Sequence, residues 1–379
     1  VGQTQLRAAI LSIEMGAAVK AAAPVLSFDV LLLESHRLRD TKGNEFMKNA
    51  APCLAVLMIF ALLGTPSFAE TKVFLLAGQS NMAGVGGYSG YLNGWPWTTP
   101  PYGQGPDDPC PSPYNMLNPH VKFWNYATDL NPNGAEIMAG VGTGWINLQQ
   151  GYGALKTYPG SSISYGPQFG PELSFGEKLH ELYPNDQIYL VKYALSSTAL
   201  GDRWSPSGGD CYNSLVSRVN AAMANLTAAG KNPTIAGMIW MQGEDDSTNH
   251  AYSVNYAANL KNLINTVRDT YDAPEMKFVA GRITTMTVGA GWASAGDCNL
   301  VRNAQWNISS QVSNASCINT DDLEWAYYGH YGTQGQIDLG IRFANEFAPV
   351  PEPSTLVLVC TAAFGLLGYR RWRRSSRDI

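Results

Sequence analysis

Ser80 stands in VFLLAGQSNMAG, residues 73–84, where an apolar run hands over to a Gln-Ser-Asn turn flanked by glycines. A strand-to-helix connection would read this way, and so would an exposed serine nucleophile, which becomes reactive once a base removes its proton. Two more polar stretches follow apolar runs: SSTALGDRW (196–204) after QIYLVKYA, and QGEDD (242–246) after IAGMIWM. Glu244 and Asp246 in the latter could pair as the acid and base of a glycosidase or act as hard ligands for a cation. Gln242 could cap a neighbouring turn or donate to a developing negative charge. Of five histidines, His120 falls in a loop, His180 on a helix face and His250 at the start of a polar helix, all suited to structural or solvated roles. His330 differs, standing just before a glycine-containing turn and the helix-like TQGQIDLGIRFANEF.

The elements that must position these residues alternate. Strand-like runs lie at 72–78, 187–194, 235–242 and 276–283, and helix-like stretches at 171–183, 212–230 and 254–271. In the last, Tyr256, Leu260, Leu263, Ile264 and Val267 keep one face apolar at helical spacing. Alternation of this kind predicts an α/β fold, a three-layer α/β/α sandwich with a mostly parallel central sheet. Such sheets carry their sites at the carboxyl ends of the strands, where Ser80, SSTALGDRW and QGEDD all fall. Residues 85–165, rich in Gly, Pro, Tyr and Trp, read as a long loop excursion beside the site, suited to sugar rings or simply packed on itself.

Both ends read as targeting segments. Residues 47–69, MKNAAPCLAVLMIFALLGTPSFA, have the basic start, apolar stretch and small-residue end of a secretory signal, so residues 1–46 are expected to be an upstream extension without function. Residues 349–379 join Pro-Glu-Pro to a short apolar run and then Arg370, Arg371, Arg373 and Arg374. That run is shorter than the roughly 20 residues of a stable span, and transient membrane association through it is expected, with a plain anchor as the alternative. The predicted exported domain is 70–348. Residues 70–350 hold 14 Lys and Arg against 23 Asp and Glu, a net charge of −9, which argues against a nucleic-acid partner. Four of the six cysteines, Cys110, Cys211, Cys298 and Cys317, lie in this domain. Export makes two disulfides the expectation; of the three connectivities open to four cysteines, proximity in sequence favours Cys298 with Cys317, which leaves Cys110 with Cys211.

GQSNMAG (78–84), GPELSFG (170–176), VKYALSSTALGDRW (191–204), IWMQGEDD (239–246) and HYGTQGQIDLGIRFA (330–344) occur in one order along the chain. This series resembles the SGNH-type hydrolases of the sialate O-acetylesterase and carbohydrate esterase 6 group, over roughly residues 72–347. The tail resembles the PEP-CTERM sorting signal of Gram-negative bacteria that make exopolysaccharide. The resemblance implies a flavodoxin-like SGNH fold and a serine esterase removing O-acetyl groups from a carbohydrate without metal or organic cofactor. Ser80 would be the nucleophile and His330 the general base. The oxyanion donors would be the backbone N–H of Ser80, a backbone N–H at Ser197 and the Gln242 side chain, with Gln79, Asn81, Glu244 and Asp246 supporting them. Its partners would be an acetylated polysaccharide or sugar and the export and sorting machinery. The periplasm, cell surface or extracellular matrix would be its place.

Two departures bear on that expectation. The family usually has Asp three residues before this histidine, where this chain has Tyr327, so Asp322 is the expected substitute among Asp321, Asp322 and Glu324, and a dyad without a carboxylate is the alternative. Ser196 and Ser197 replace two glycines that the family commonly has, which predicts a reshaped pocket with its backbone donors kept. A non-catalytic carbohydrate-binding envelope protein and a lipase or arylesterase on the same fold are the rival readings.

Overall fold

The computed structural model describes residues 69–84, 110–125, 144–151, 169–327 and 330–349. The upstream extension, the signal up to residue 68, His36 and the tail beyond residue 349 lie outside them, as does most of 85–165. In chain order the elements are β1 (Thr71–Gly78), α1 (Ser80–Ala83), β2 (Asn118–Asn125), β3 (Gly144–Leu148), α2 (Glu172–Leu182), β4 (Gln187–Ala194), α3 (Asp210–Ala228) and β5 (Pro233–Met241). They continue with α4 (His250–Thr270), β6 (Lys277–Gly281), α5 (Met286–Gly289), α6 (Ala295–Trp306), β7 (Ala315–Ile318), β8 (Trp325–Tyr327), β9 (His330–Tyr331) and α7 (Thr333–Asn345).

The main sheet has seven strands in the order β3-β2-β4-β1-β5-β6-β7. All neighbours are parallel except β2 with β3. β1 lies at its centre, and Val73, Phe74, Leu75, Leu76 and Ala77 are buried because both faces of a parallel sheet are covered. Gly237 of β5 abuts Phe347 just beyond α7, whereas Trp240, three residues on and so on the other face, donates Nε1–H to the Tyr256 hydroxyl of α4 at 3.3 Å. On the first face α2 and α7 meet closely, with Ser174 Oγ donating to Ile337 O at 2.8 Å. On the second, the apolar stripe Tyr256, Leu260, Leu263, Ile264 and Val267 is buried as its spacing predicts. Each such side chain stabilises the fold by roughly 1.5–3 kcal/mol. Asn249 begins α4 by accepting from Ala251 N at 2.9 Å, and Ser294 begins α6 by accepting from Asp297 N at 3.0 Å.

Two expectations are corrected here. The stretch read as a loop excursion supplies two strands of the sheet: β2 pairs with β4 through Val121 and Ile188, and β3 closes that edge with Trp145 opposite Trp124. Trp124, Trp145 and Tyr189 pack edge to face, 4.9 and 4.8 Å between ring centroids, so these aromatics cover the sheet. His120 accordingly sits in β2, stacked on His180 of α2 with centroids 4.4 Å apart. The disulfides are also absent: Cys211, Cys298 and Cys317 are thiols, so neither expected pairing forms. Cys298 lies inside α6 and donates to Thr284 O, while Cys317, on β7, donates to Ile318 O. Burial pushes the Cys211 and Cys317 thiols up to about 12, which keeps them protonated.

Candidate active site

The strand register builds the site. Gly78, Ala194 and Met241 stand side by side at the ends of β1, β4 and β5, so the polar residues that follow each strand emerge at one edge. Gly78 has no substitute there, because a Cβ would run into the Met241 carbonyl, which also accepts from Gln79 N at 2.9 Å. Ser80 opens α1, a single turn of four residues that ends at Gly84 in the left-handed region, φ +98°. The turn is closed by Ala83 N on Gln79 O at 2.7 Å and Gly84 N on Ser80 O at 2.9 Å. One isolated turn is not stable by itself, so its neighbours must hold it.

Those neighbours are mostly the residues named from sequence. Gln79 Oε1 accepts from Gly243 N and Asp245 N, both at 3.4 Å. Asn81 Nδ2 donates to Glu244 Oε1 at 3.0 Å, and Asn81 Oδ1 accepts from Tyr331 N at 3.1 Å. The residue after Ser80 is thereby bonded to the residue after His330, a link across 250 positions of sequence. Asp246 is fully buried and accepts from Leu200 N at 2.7 Å and Gly201 N at 3.0 Å, which fixes the SSTALGD loop. Within that loop Thr198 Oγ1 donates to Leu195 O at 2.6 Å and accepts from Trp204 Nε1 at 2.9 Å. Ser197 is exposed and sits at φ +53°, a conformation that glycine adopts more readily, and the loop tolerates it in place of one.

Gln242 departs from the expected role. Its side chain is fully buried, and Nε2 donates to Thr198 O at 2.9 Å and Asp246 Oδ2 at 2.5 Å, while Oε1 accepts from Tyr256 OH at 3.2 Å. Both amide hydrogens are thus engaged inside the protein, so the expected oxyanion donation from this side chain is replaced by a brace between two loops. Gln305 of α6, which sequence reading did not single out, extends the brace: Nε2 donates to Gln242 O at 2.8 Å and Oε1 accepts from Ile283 N at 2.9 Å. A lone glutamine on a helix face carries no sequence signal for this role.

Asp322 is the second correction. Its two oxygens accept from both terminal nitrogens of Arg342 at 2.7 and 2.8 Å, and these hydrogen bonds hold its carboxyl down to about 2. The side chain is 64% exposed, on the surface with Arg342 rather than swung in toward the histidine. Asp321 is likewise held by Arg282 and Arg302. Glu324 Oε2 accepts from Gln334 N at 2.9 Å and Gly335 N at 3.3 Å, capping α7. His330 is half-buried in β9, opposite position 327 in a two-stranded ladder with β8.

Charge at the site is governed by burial. Desolvation pushes the Glu244 carboxyl up to about 7, against the opposing hydrogen bonds from its own backbone and Asn81. Its Oε2 is buried without a hydrogen-bond partner among the described residues. Burial also lifts Asp246, to about 6, with the Gln242, Leu200 and Gly201 donors pulling the other way. Asp246 is committed to backbone amides and Glu244 to Asn81, which leaves them unlike an acid–base pair facing a glycosidic bond.

A mostly parallel sheet covered on both faces, with polar loops gathered at its carboxyl edge, is the α/β fold of the SGNH-like carbohydrate esterases. The chain belongs to the carbohydrate esterase, sialic acid-specific acetylesterase family, whose model matches residues 70–349. A PEP-CTERM protein-sorting motif matches residues 349–374 and marks the protein for export in a Gram-negative bacterium. Among curated proteins it is similar to the probable carbohydrate esterase At4g34215 of Arabidopsis thaliana, 24% identical over 281 residues that cover 73% of this chain and 90% of that one. The solved structure of that Arabidopsis protein has a TM-score of 0.53 at 22% identity, covering 73% of this chain and 98% of the other. A carbohydrate acetylesterase from Xanthomonas citri aligns with a TM-score of 0.48 at 17% identity, over 72% of this chain and 55% of that one.

Proposed function

We propose that the domain spanning 70–348 is an exported serine esterase that removes O-acetyl groups from a carbohydrate through an acyl-enzyme. The observation that carries the reading is the Asn81 bridge, which brings the strand bearing His330 onto the turn bearing Ser80. In this mechanism His330 takes the proton from Ser80 Oγ as that oxygen attacks the acetyl carbonyl, then gives it to the departing sugar hydroxyl. The negative charge on the tetrahedral intermediate is met by the backbone N–H groups of Ser80 and Ser197. Water, deprotonated by His330, then releases acetate and restores Ser80. The family supports an acetylated sugar as substrate and the sorting motif supports release from the cytoplasm toward the envelope, with residues 47–69 as the export signal and the tail as a transient membrane hold.

The test is acetate release from 4-nitrophenyl acetate and from acetylated xylan. Ser80→Ala and His330→Ala should each remove nearly all turnover, a loss on the order of 10⁴-fold or more. A second reading, a carbohydrate-binding protein that has lost turnover, is favoured by Tyr327 at the usual acid position and by Asp322 lying with Arg342. A fluorophosphonate that labels Ser80 in the wild type would exclude it. Failure to label the folded protein would support it.

A further inference from the structure

Lys192 lies within β4, where the rest of the strand is apolar or aromatic beyond its first residue, and its ammonium is fully buried. It donates to Glu172 Oε2 at 2.7 Å, and Glu172 is equally buried. The other Glu172 oxygen accepts from Gly170 N at 2.9 Å. Among the described residues the other hydrogen bond of the ammonium goes to the carbonyl of Ala83, the last residue of α1, at 3.0 Å. Burial pulls the Lys192 pKa down while Glu172 opposes the shift. A buried ion pair of this kind is a weak source of stability, since replacing both partners by apolar side chains of similar volume is often neutral or stabilising. Its place in the fold therefore calls for another reason.

That reason is the turn it grips. α1 has one turn, and its carbonyl end is pressed against 169–170: a Cβ on Gly170 would lie 2.7 Å from Met82 O and 3.2 Å from Lys192 Nζ, and one on Gly84 would run into the Phe169 backbone. The amino end of the turn is held by Gln79 and Asn81. We infer that Lys192 and Glu172 are a positioning pair for the nucleophile: locked to Glu172, the ammonium fixes the Ala83 carbonyl and with it the direction in which Ser80 presents Oγ. This rests on the reading of Ser80 as nucleophile given above.

The experiment uses the full chain and compares Lys192→Met/Glu172→Gln, which leaves no buried charge unpaired and keeps an acceptor for Gly170 N, with Glu172→Gln alone and with Ser80→Ala. Three quantities are measured: melting temperature, kcat and KM on 4-nitrophenyl acetate, and the rate of Ser80 phosphonylation by a fluorophosphonate. The double variant is expected to melt within a few degrees of wild type and to keep KM within about twofold. Its kcat and phosphonylation rate should fall together by roughly 10–100-fold, the cost of a displaced nucleophile. Glu172→Gln, the arm that remains if the double variant fails to fold, is expected to lose about tenfold in both rates at unchanged KM. Wild-type rates in a folded member of either arm would overturn the inference and leave the pair purely structural. Turnover that survives Ser80→Ala would instead overturn the reading of Ser80, independently of the pair.

Discussion

The two sides of the site are built differently. On the Ser80 side, α1 is held at both ends: Gln79 takes two backbone amides, Asn81 takes Glu244, and the Ala83 carbonyl takes Lys192, while Asp246 and Gln242 tie the 196–201 loop to the same frame. On the other side, His330 rides a two-residue strand in a two-stranded ladder, joined to the Ser80 side through the Tyr331 N–Asn81 bond. The nearby carboxylates there face arginines at the surface or cap α7. The lesson is that buried polar side chains hold the turn bearing Ser80 and the 196–201 loop, while the strand bearing His330 joins that frame through the Tyr331 N–H.

Four substitutions would break or sharpen that contrast. The largest effect is expected at Asn81→Ala, which cuts the bridge between the two sides. It should lower kcat about 100-fold through misplacement of the base and also destabilise the fold, because Glu244 and Tyr331 N lose their partner. A folded variant with wild-type kcat would show that the bridge positions nothing.

Next is Gln242→Ala. A buried brace predicts a loss of about 2–4 kcal/mol in chemical denaturation, with turnover per folded molecule lowered less than about tenfold. The opposite pattern, unchanged stability with kcat down about 100- to 1,000-fold, is what an oxyanion donor would give.

Glu244→Gln has a smaller effect that depends on pH. The folded state holds the Glu244 proton up to about 7, far above the 4.5 of the free side chain, so ionising it weakens folding as pH climbs from 4.5 through 7. The wild type should therefore lose roughly 3 kcal/mol across that window from this group. In Glu244→Gln, unfolding curves from pH 5 to 8 should show that part of the slope removed and the part due to Asp246 retained. An unchanged slope would place the Glu244 proton elsewhere.

The smallest effect is predicted for Asp322→Ala, whose carboxylate faces Arg342. Its kcat should stay within about twofold of wild type, as for an exposed ion pair. A loss near 10⁴-fold, the scale of a triad acid, would return Asp322 to the histidine.

Much of this was legible in the sequence. The period-3.6 stripe of α4 and the apolar runs of β1, β4, β5 and β6 are local patterns, and burial followed them. β2 and β3 were not, because their aromatic and polar residues alternate among Gly and Pro and their pairing with β4 is a long-range event. Chain proximity suggested Cys298 with Cys317, yet one faces Thr284 and the other the end of β7. Asp322 was a reasonable substitute by spacing until Arg342, twenty positions on, brought a guanidinium to it.

The sequence by itself determined the alternation of strands and helices, the placing of polar loops at the carboxyl edge, and the motif order of a carbohydrate esterase, because these depend on local periodicity and residue type. Only the tertiary structure decided which polar side chains turn inward to brace and which remain available. Gln242 and Asp246 satisfy each other in a dry interior, Asp322 meets Arg342 in water, and Lys192 needs Glu172, because the environment of a polar group is set by what folds against it.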